Sequence, residues 1–172
     1  MTPNNCKSLT VSCKMSQILS IDFDRNISPE TNSSRIGRIG EELAAQFLIR
    51  RGRRLVCSNF KVPIGRNRRG VAVSGEIDLI ALDADVVCFI EVKTRSSAQF
   101  ASPLAALDVR KQRQITRTAR IYRKIFNLEN IKFRYDAIAI VLNGEDSPEI
   151  EMIENFWTEN KFRKKFWHDE LW

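Results

Sequence analysis

Apolar residues return every third or fourth position from Ile36 through Ile39, Leu43 and Phe47, the spacing that lines one side of a helix. Ser34 stands ahead of this run as its N-cap and Gly52 closes it, so RIGRIGEELAAQFLIRRG is predicted to be a first helix. The period then changes. RLVCSNF (54–60), VSGEIDLIAL (73–82) and VVCFIEVKTR (86–95) are apolar runs of strand length, separated by the Gly- and Arg-rich loop KVPIGRNRRG and a turn at DAD. Three consecutive strands predict an antiparallel meander. Helical spacing resumes over 108–126, with Ile115, Ala119, Tyr122 and Phe126 on the core face. KFRYDAIAIVL supplies a further strand and EIEMIENF an edge strand. The order predicts an α/β fold, helices packed on one central sheet, with no internal repeat.

The second and third strands carry charges where a sheet core should have none: Asp78, Glu91 and Lys93. Glu91 and Lys93 are two residues apart and leave the same face, while Ile90 and Val92 leave the other. An even-numbered turn at Ala84 and Asp85 sets Asp78 opposite Glu91; an odd one turns one carboxylate to the wrong face. Two facing carboxylates repel by about 1 to 4 kcal/mol at about 4 Å, so the pair calls for a cation. Lys93 supplies one charge, and a divalent ion would supply more. Oxygen donors without His or Cys suit a hard ion, Mg²⁺ or Mn²⁺. Glu41, on a flank of the first helix shared with Gly37, Ala44 and Leu48, is a third candidate carboxylate, because the small residues let the helix approach the sheet. An ordinary solvated salt bridge would use the same residue types, and both readings stand at this point.

Composition narrows the chemistry. The four cysteines, Cys6, Cys13, Cys57 and Cys88, form no CxxC pair, and His168 is the sole histidine, which disfavours zinc sites and His-based nucleophilic catalysis. A chain of 172 residues with net charge +7 is long enough for one domain and favours polyanionic partners. No run reaches membrane-span length and no signal-peptide core is visible, so the expected setting is cytoplasmic, with no membrane span. Three regions are expected: a loosely ordered extension over 1–34, the α/β domain over 35–156, and a basic, aromatic tail over 157–172.

With Glu41, Asp78, Glu91 and Lys93 in place, the chain resembles the PD-(D/E)XK nuclease superfamily. More closely, GEELA (40–44), GEIDLIA (75–81), FIEVKTR (89–95) and YDAIAI (135–140) are similar to the YraN-like uncharacterised family, related in fold to Holliday junction resolvases. The resemblance implies a restriction-endonuclease-like αβββαβ core with a mixed central sheet. It further implies that Asp78 and Glu91 bind Mg²⁺ or Mn²⁺, that Glu41 is the auxiliary acid, and that Lys93 assists the attacking water. Lys111 and Gln112 fall where related nucleases place an auxiliary active-site residue. Glu76 occupies a recurring position of the family block. A metal-dependent endonuclease acting on DNA, branched DNA included, is the function the resemblance implies, and symmetric junction cutting would call for a homodimer. The alternative is a nucleic-acid-binding module that keeps the nuclease fold without turnover.

Basic surfaces give that alternative its own support. Arg110, Arg113, Arg117, Arg120 and Lys124 recur along the second helix with no acidic residue among them, unlike the mixed signs of an ordinary solvated face. Arg66, Arg68 and Arg69 crowd the long loop and could reach a nucleic-acid backbone. The tail interleaves Trp157, Phe162, Phe166, Trp167 and Trp172 with cations, and packing back over the domain is its plainest use.

Overall fold

The computed structural model describes residues 31–96, 107–142 and 147–162. Helix α1 runs Asn32–Arg50, starting three residues before the predicted first residue, Arg35. Thr31, not Ser34, is its N-cap: the Thr31 hydroxyl accepts a hydrogen bond from the Ser34 backbone N–H, so Ser34 lies inside the first turn. The stop at Gly52 is as expected, with φ +78. The buried stripe of α1 is Gly40, Ala44 and Leu48, flanked by half-buried Leu43 and Phe47. Gly40 rather than Gly37 is the close-approach residue. A Cβ on Gly40 would overlap the Thr94 hydroxyl, whereas one on Gly37 would meet nothing.

The five strands are β1 (Arg54–Arg66), β2 (Ala72–Asp83), β3 (Val86–Arg95), β4 (Phe133–Val141) and β5 (Glu149–Trp157), ordered β1-β2-β3-β4-β5. The first three form the antiparallel meander the sequence predicts. Helix α2 (Val109–Ile125) then carries the chain to β4, which lies parallel to β3, and β5 returns antiparallel as an edge strand. The sheet is therefore mixed, and the fold is α/β.

Alternation along the strands divides the core in two. Phe89 and Ala137 join Phe60, Ile77 and Ile80 beneath Ile115, Ala119 and Tyr122 of α2. Ile90 and Ile138 join Leu79 and Ala81 beneath Ala44 and Leu48 of α1. Three expectations need revising. Most of the segment expected as the loop KVPIGRNRRG continues β1 to Arg66, and only 67–71 form the tip. Pro63 is tolerated there because β1 is an edge strand, where a missing N–H need not break a ladder. Phe126 caps α2 and is exposed, with its ring 4.6 Å from that of Tyr122. Trp157 is the buried last residue of β5, stacked on Tyr135 at 5.0 Å, and a short 3-10 turn, Glu159–Phe162, follows it. The expected N-terminal extension up to residue 30 and the tail from 163 lie outside the described residues.

A second charged cluster stands at the hairpin end of the sheet. Asp136 is fully buried, and both its oxygens accept from Arg134 Nε at 3.0 Å while Oδ1 also accepts the Asn155 N–H at 2.8 Å. Arg134 reaches Asp83 at 2.7 Å, and Arg53, itself buried, pairs with Asp83 at 3.4 Å and with Glu154. Planar guanidinium forks meet carboxylate edges throughout.

Candidate active site

The β2–β3 pairs run from Asp83↔Val86 to Leu79↔Ile90, the register that an even turn requires, with Ala84 taking the positive φ (+51) of a tight hairpin. Asp78 is thereby next in line to face Glu91. The backbone ladder stops one residue short, and a side chain continues it: the Val92 N–H donates to Asp78 Oδ2 at 2.8 Å. Strand alternation breaks at this point, since Ile77 and Ile80 both face α2 while Leu79 faces α1. On β1 the same break falls at Asn59, whose φ of +53 separates Cys57 and Phe60, both facing α2.

Glu91 is the centre of the site, its side chain wholly buried. Oε1 accepts from Lys93 Nζ at 2.6 Å and from Lys111 Nζ at 3.0 Å, while Oε2 has no partner. A buried carboxylate oxygen left unsatisfied costs roughly 1–3 kcal/mol or more, so it asks for a ligand. Burial, reinforced by the neighbouring Glu91 charge, pushes the Asp78 carboxyl up to about 8 against the pull of the Val92 N–H. Burial works against the Lys111 ammonium, but the charges of Glu91 and Asp78 outweigh it and the pKa is raised, so Lys111 stays a cation.

Glu41 reaches this region from α1. Burial raises its pKa against the Asn59 amide, which donates to Oε2 at 2.9 Å, and the Glu76 charge raises it further. Glu76 itself pairs with Lys61 at 3.0 Å on the rim. Among the described residues, no three His, Cys, Asp or Glu side chains close into a ready-made metal cage. Glu41 is therefore a neighbour of the Asp78–Glu91 pair, held by Asn59. Oxygen-only donors, with the free Glu91 Oε2 beside Asp78, fit a hard divalent ion of the Mg²⁺ kind, which keeps several waters and needs only one or two carboxylates.

Of the two residues the resemblance placed at the start of α2, Lys111 joins the site. Gln112 does not: it caps the Leu107 carbonyl and accepts from Lys161. Asn59 is the residue that sequence reasoning missed. Its signal was an asparagine inside an apolar strand run, a type depleted in strands and tolerant of left-handed backbone.

The stripe Arg110, Arg113, Arg117, Arg120 and Lys124 is exposed along α2. Its own helix offers no acid, yet Glu159 reaches Arg120 from beyond β5 at 3.0 Å. Arg66, Arg68 and Arg69 are exposed around the hairpin tip, where Arg66 is partly engaged with the Gly70 carbonyl at 2.7 Å. No helix among the described residues is long and apolar enough to cross a membrane.

A family model described as Uncharacterised protein family UPF0102 matches residues 40–140. A UPF0102 protein of Caldanaerobacter subterraneus is 38% identical over 116 residues, covering 67% of this chain and 87% of that protein. One from Chlorobium phaeobacteroides is 43% identical over 106 residues, covering 62% and 76%. One from Acetivibrio thermocellus is 35% identical over 137 residues, covering 77% and 98%. A solved structure, "Crystal structure of SSO0001", aligns with a TM-score of 0.37 at 17% identity over 76% of this chain and 56% of that one, too loose a likeness to extend the comparison.

Proposed function

Because the chain belongs to the UPF0102 family, a PD-(D/E)XK nuclease-like group, we propose that it hydrolyses phosphodiester bonds in DNA with a divalent metal ion, Mg²⁺ or Mn²⁺. One observation carries this reading: the fully buried Glu91 keeps an unpartnered oxygen beside a second buried carboxylate, Asp78. Glu91 and Asp78 would hold the ion, which supplies Lewis acidity toward a phosphoryl oxygen and lowers the pKa of a bound water.

The chain's own groups do the rest. Lys93, 31% exposed with its ammonium on Glu91 Oε1, stands at the mouth and can hydrogen-bond the attacking water or a non-bridging phosphate oxygen. Lys111, held protonated, stabilises negative charge as it accumulates on phosphorus and is no base. Glu41, fixed by Asn59, supports the rim. Water adds to phosphorus and gives its proton to bulk water, the bond to the leaving oxygen breaks, and that oxygen takes up a proton from bulk water as it departs. The exposed arginines of α2 and of the hairpin tip would bind the flanking backbone. Branched DNA as the preferred substrate, and a homodimer that cuts two strands, extend this reading from the resemblance.

The test is cleavage of linear, flapped and four-way DNA by purified protein with Mg²⁺ or Mn²⁺. No cleavage of any of these, or a Lys93→Ala variant that cuts as well as the parent, ends the enzymatic reading. A second reading, a binding module without turnover, is favoured by the two lysines that already occupy Glu91 Oε1. It expects salt-dependent DNA binding that does not change in Glu91→Gln.

A further inference from the structure

Beyond β5 the chain makes a contact that neither the carboxylate site nor the core explains. Glu159 turns back over α2 and β4. Its Oε2 accepts from Arg120 Nε and Nη2, each at 3.0 Å, and its Oε1 accepts from Arg123 Nη2 at 2.8 Å and from the Tyr135 hydroxyl at 2.7 Å. Four donors from a helix and a strand thus converge on one carboxylate. A fifth donor, Arg123 Nε, is buried beside them with no hydrogen-bond partner. The four donors take up the acceptor sites of the carboxylate and leave none for Arg123 Nε, whereas a phosphate group offers more. Burial and the adjacent Glu159 charge keep the Tyr135 phenol protonated, hence a donor.

The rest of the turn lies along the same helix. Lys161 donates to Gln112 at 3.0 Å, and the Arg113 guanidinium sits 5.7 Å from the centre of the Phe162 ring. The C-terminal turn therefore covers part of the basic stripe with an acid and an aromatic ring. Lys111 and Arg120 are separated by about 13 Å along α2 at roughly 1.5 Å per residue, a span of about four nucleotides of a B-form strand.

We propose that Arg120, Arg123 and Tyr135 form a phosphate-binding cradle that Glu159 fills in cis, so that a DNA backbone phosphate and the chain's own C-terminal turn compete for it. The proposal rests on the reading that α2 faces DNA. It adds two donors, Arg123 and Tyr135, that the stripe does not include, and makes the turn a displaceable cover.

The experiment is binding of a short labelled single-stranded DNA to the full chain in EDTA, so that no cleavage intervenes. Glu159→Gln is expected to bind about 3- to 10-fold tighter, with a log–log salt slope steeper by about 0.7 for each additional phosphate neutralised. Adding Arg120→Gln to Glu159→Gln is expected to remove this tightening. Equal or weaker binding by a Glu159→Gln protein with an intact thermal transition overturns the cradle. If the parent binds DNA and the variant binds no tighter, only the cradle falls. If neither binds, the DNA reading falls with it. Should Glu159→Gln fail to fold, trypsin cleavage of the parent after Lys161 decides: saturating DNA is expected to speed it several-fold by releasing the turn, and unchanged or slower cleavage overturns the proposal.

Discussion

Two carboxylate clusters, each built around a buried acid, share one sheet and have opposite characters. At the hairpin end, Asp83, Asp136 and Glu154 meet the guanidinium forks of Arg53 and Arg134, and none of their side-chain oxygens is buried without a partner. At the other, Asp78 and Glu91 face two lysines that crowd a single oxygen and leave its twin bare. The first holds Asp83 below the ordinary carboxylate range through the Arg134 hydrogen bond; the second holds Asp78 far above it by burial. Charge inside a sheet is thus no signature of function by itself. An unsatisfied and electrostatically costly arrangement is the better guide, because a purely structural cluster has no reason to stay incomplete.

Substitutions should separate the two clusters. Asp136→Asn takes the buried charge from beside half-buried Arg134, which keeps Asp83, and is expected to cost about 1–3 kcal/mol in urea unfolding, with little effect on metal binding. Glu91→Gln is expected to shift stability by less than about 1 kcal/mol, since Lys93 and Lys111 are 31% and 29% exposed and can turn to water. DNA cleavage should fall by about 100-fold or more in the same protein. A large stability loss in Glu91→Gln with cleavage intact would make the site a structural pair like the other.

Asn59→Gly keeps the left-handed backbone but removes the amide from Glu41. It is expected to weaken Mg²⁺ affinity by about 10-fold, read by calorimetry, as loss of an outer-shell contact does elsewhere. Unchanged affinity would remove Glu41 from the site.

The smallest effect is in pH. The Asp78 carboxyl is raised in the folded state, so its contribution to stability is present below about pH 4 and is lost as pH rises through about 8. Asp83 is lowered, so its contribution is present above about pH 4 and is lost as pH falls through its folded pKa. Mg²⁺ should therefore raise the melting temperature more at pH 8 than at pH 6, by roughly 2 °C. Asp78→Asn should abolish that difference, and a metal effect equal at both pH values would speak against Asp78 as a ligand.

Much of the site could be read from the chain alone because it rests on short-range rules. Strand parity fixed the faces of Glu91 and Lys93, and turn parity set the register that ends at Leu79↔Ile90, one position short of Asp78 and Glu91. What escaped depends on distant packing. Asn59 meets Glu41 only because β1 breaks its alternation, while Lys111, which the resemblance alone had singled out, meets Glu91 because α2 lies over the sheet. The turn signals at Pro63 and Gly65 pointed to a loop, whereas an edge strand absorbs both. Glu159 lies some forty positions from Arg120 in sequence, and no local pattern links them.

Gly40 sets the height of α1 above β3, since any side chain there must push against Thr94. Glu41 is the next residue and rides on that spacing. Gly40 is therefore a tuning point: Gly40→Ala would lift Glu41 from its neighbours while leaving every charged group of the region in the chain. Trimming Thr94 to alanine in the same protein would let the helix settle back, so the pair could adjust the reach of Glu41 without altering the chemistry of a single ligand.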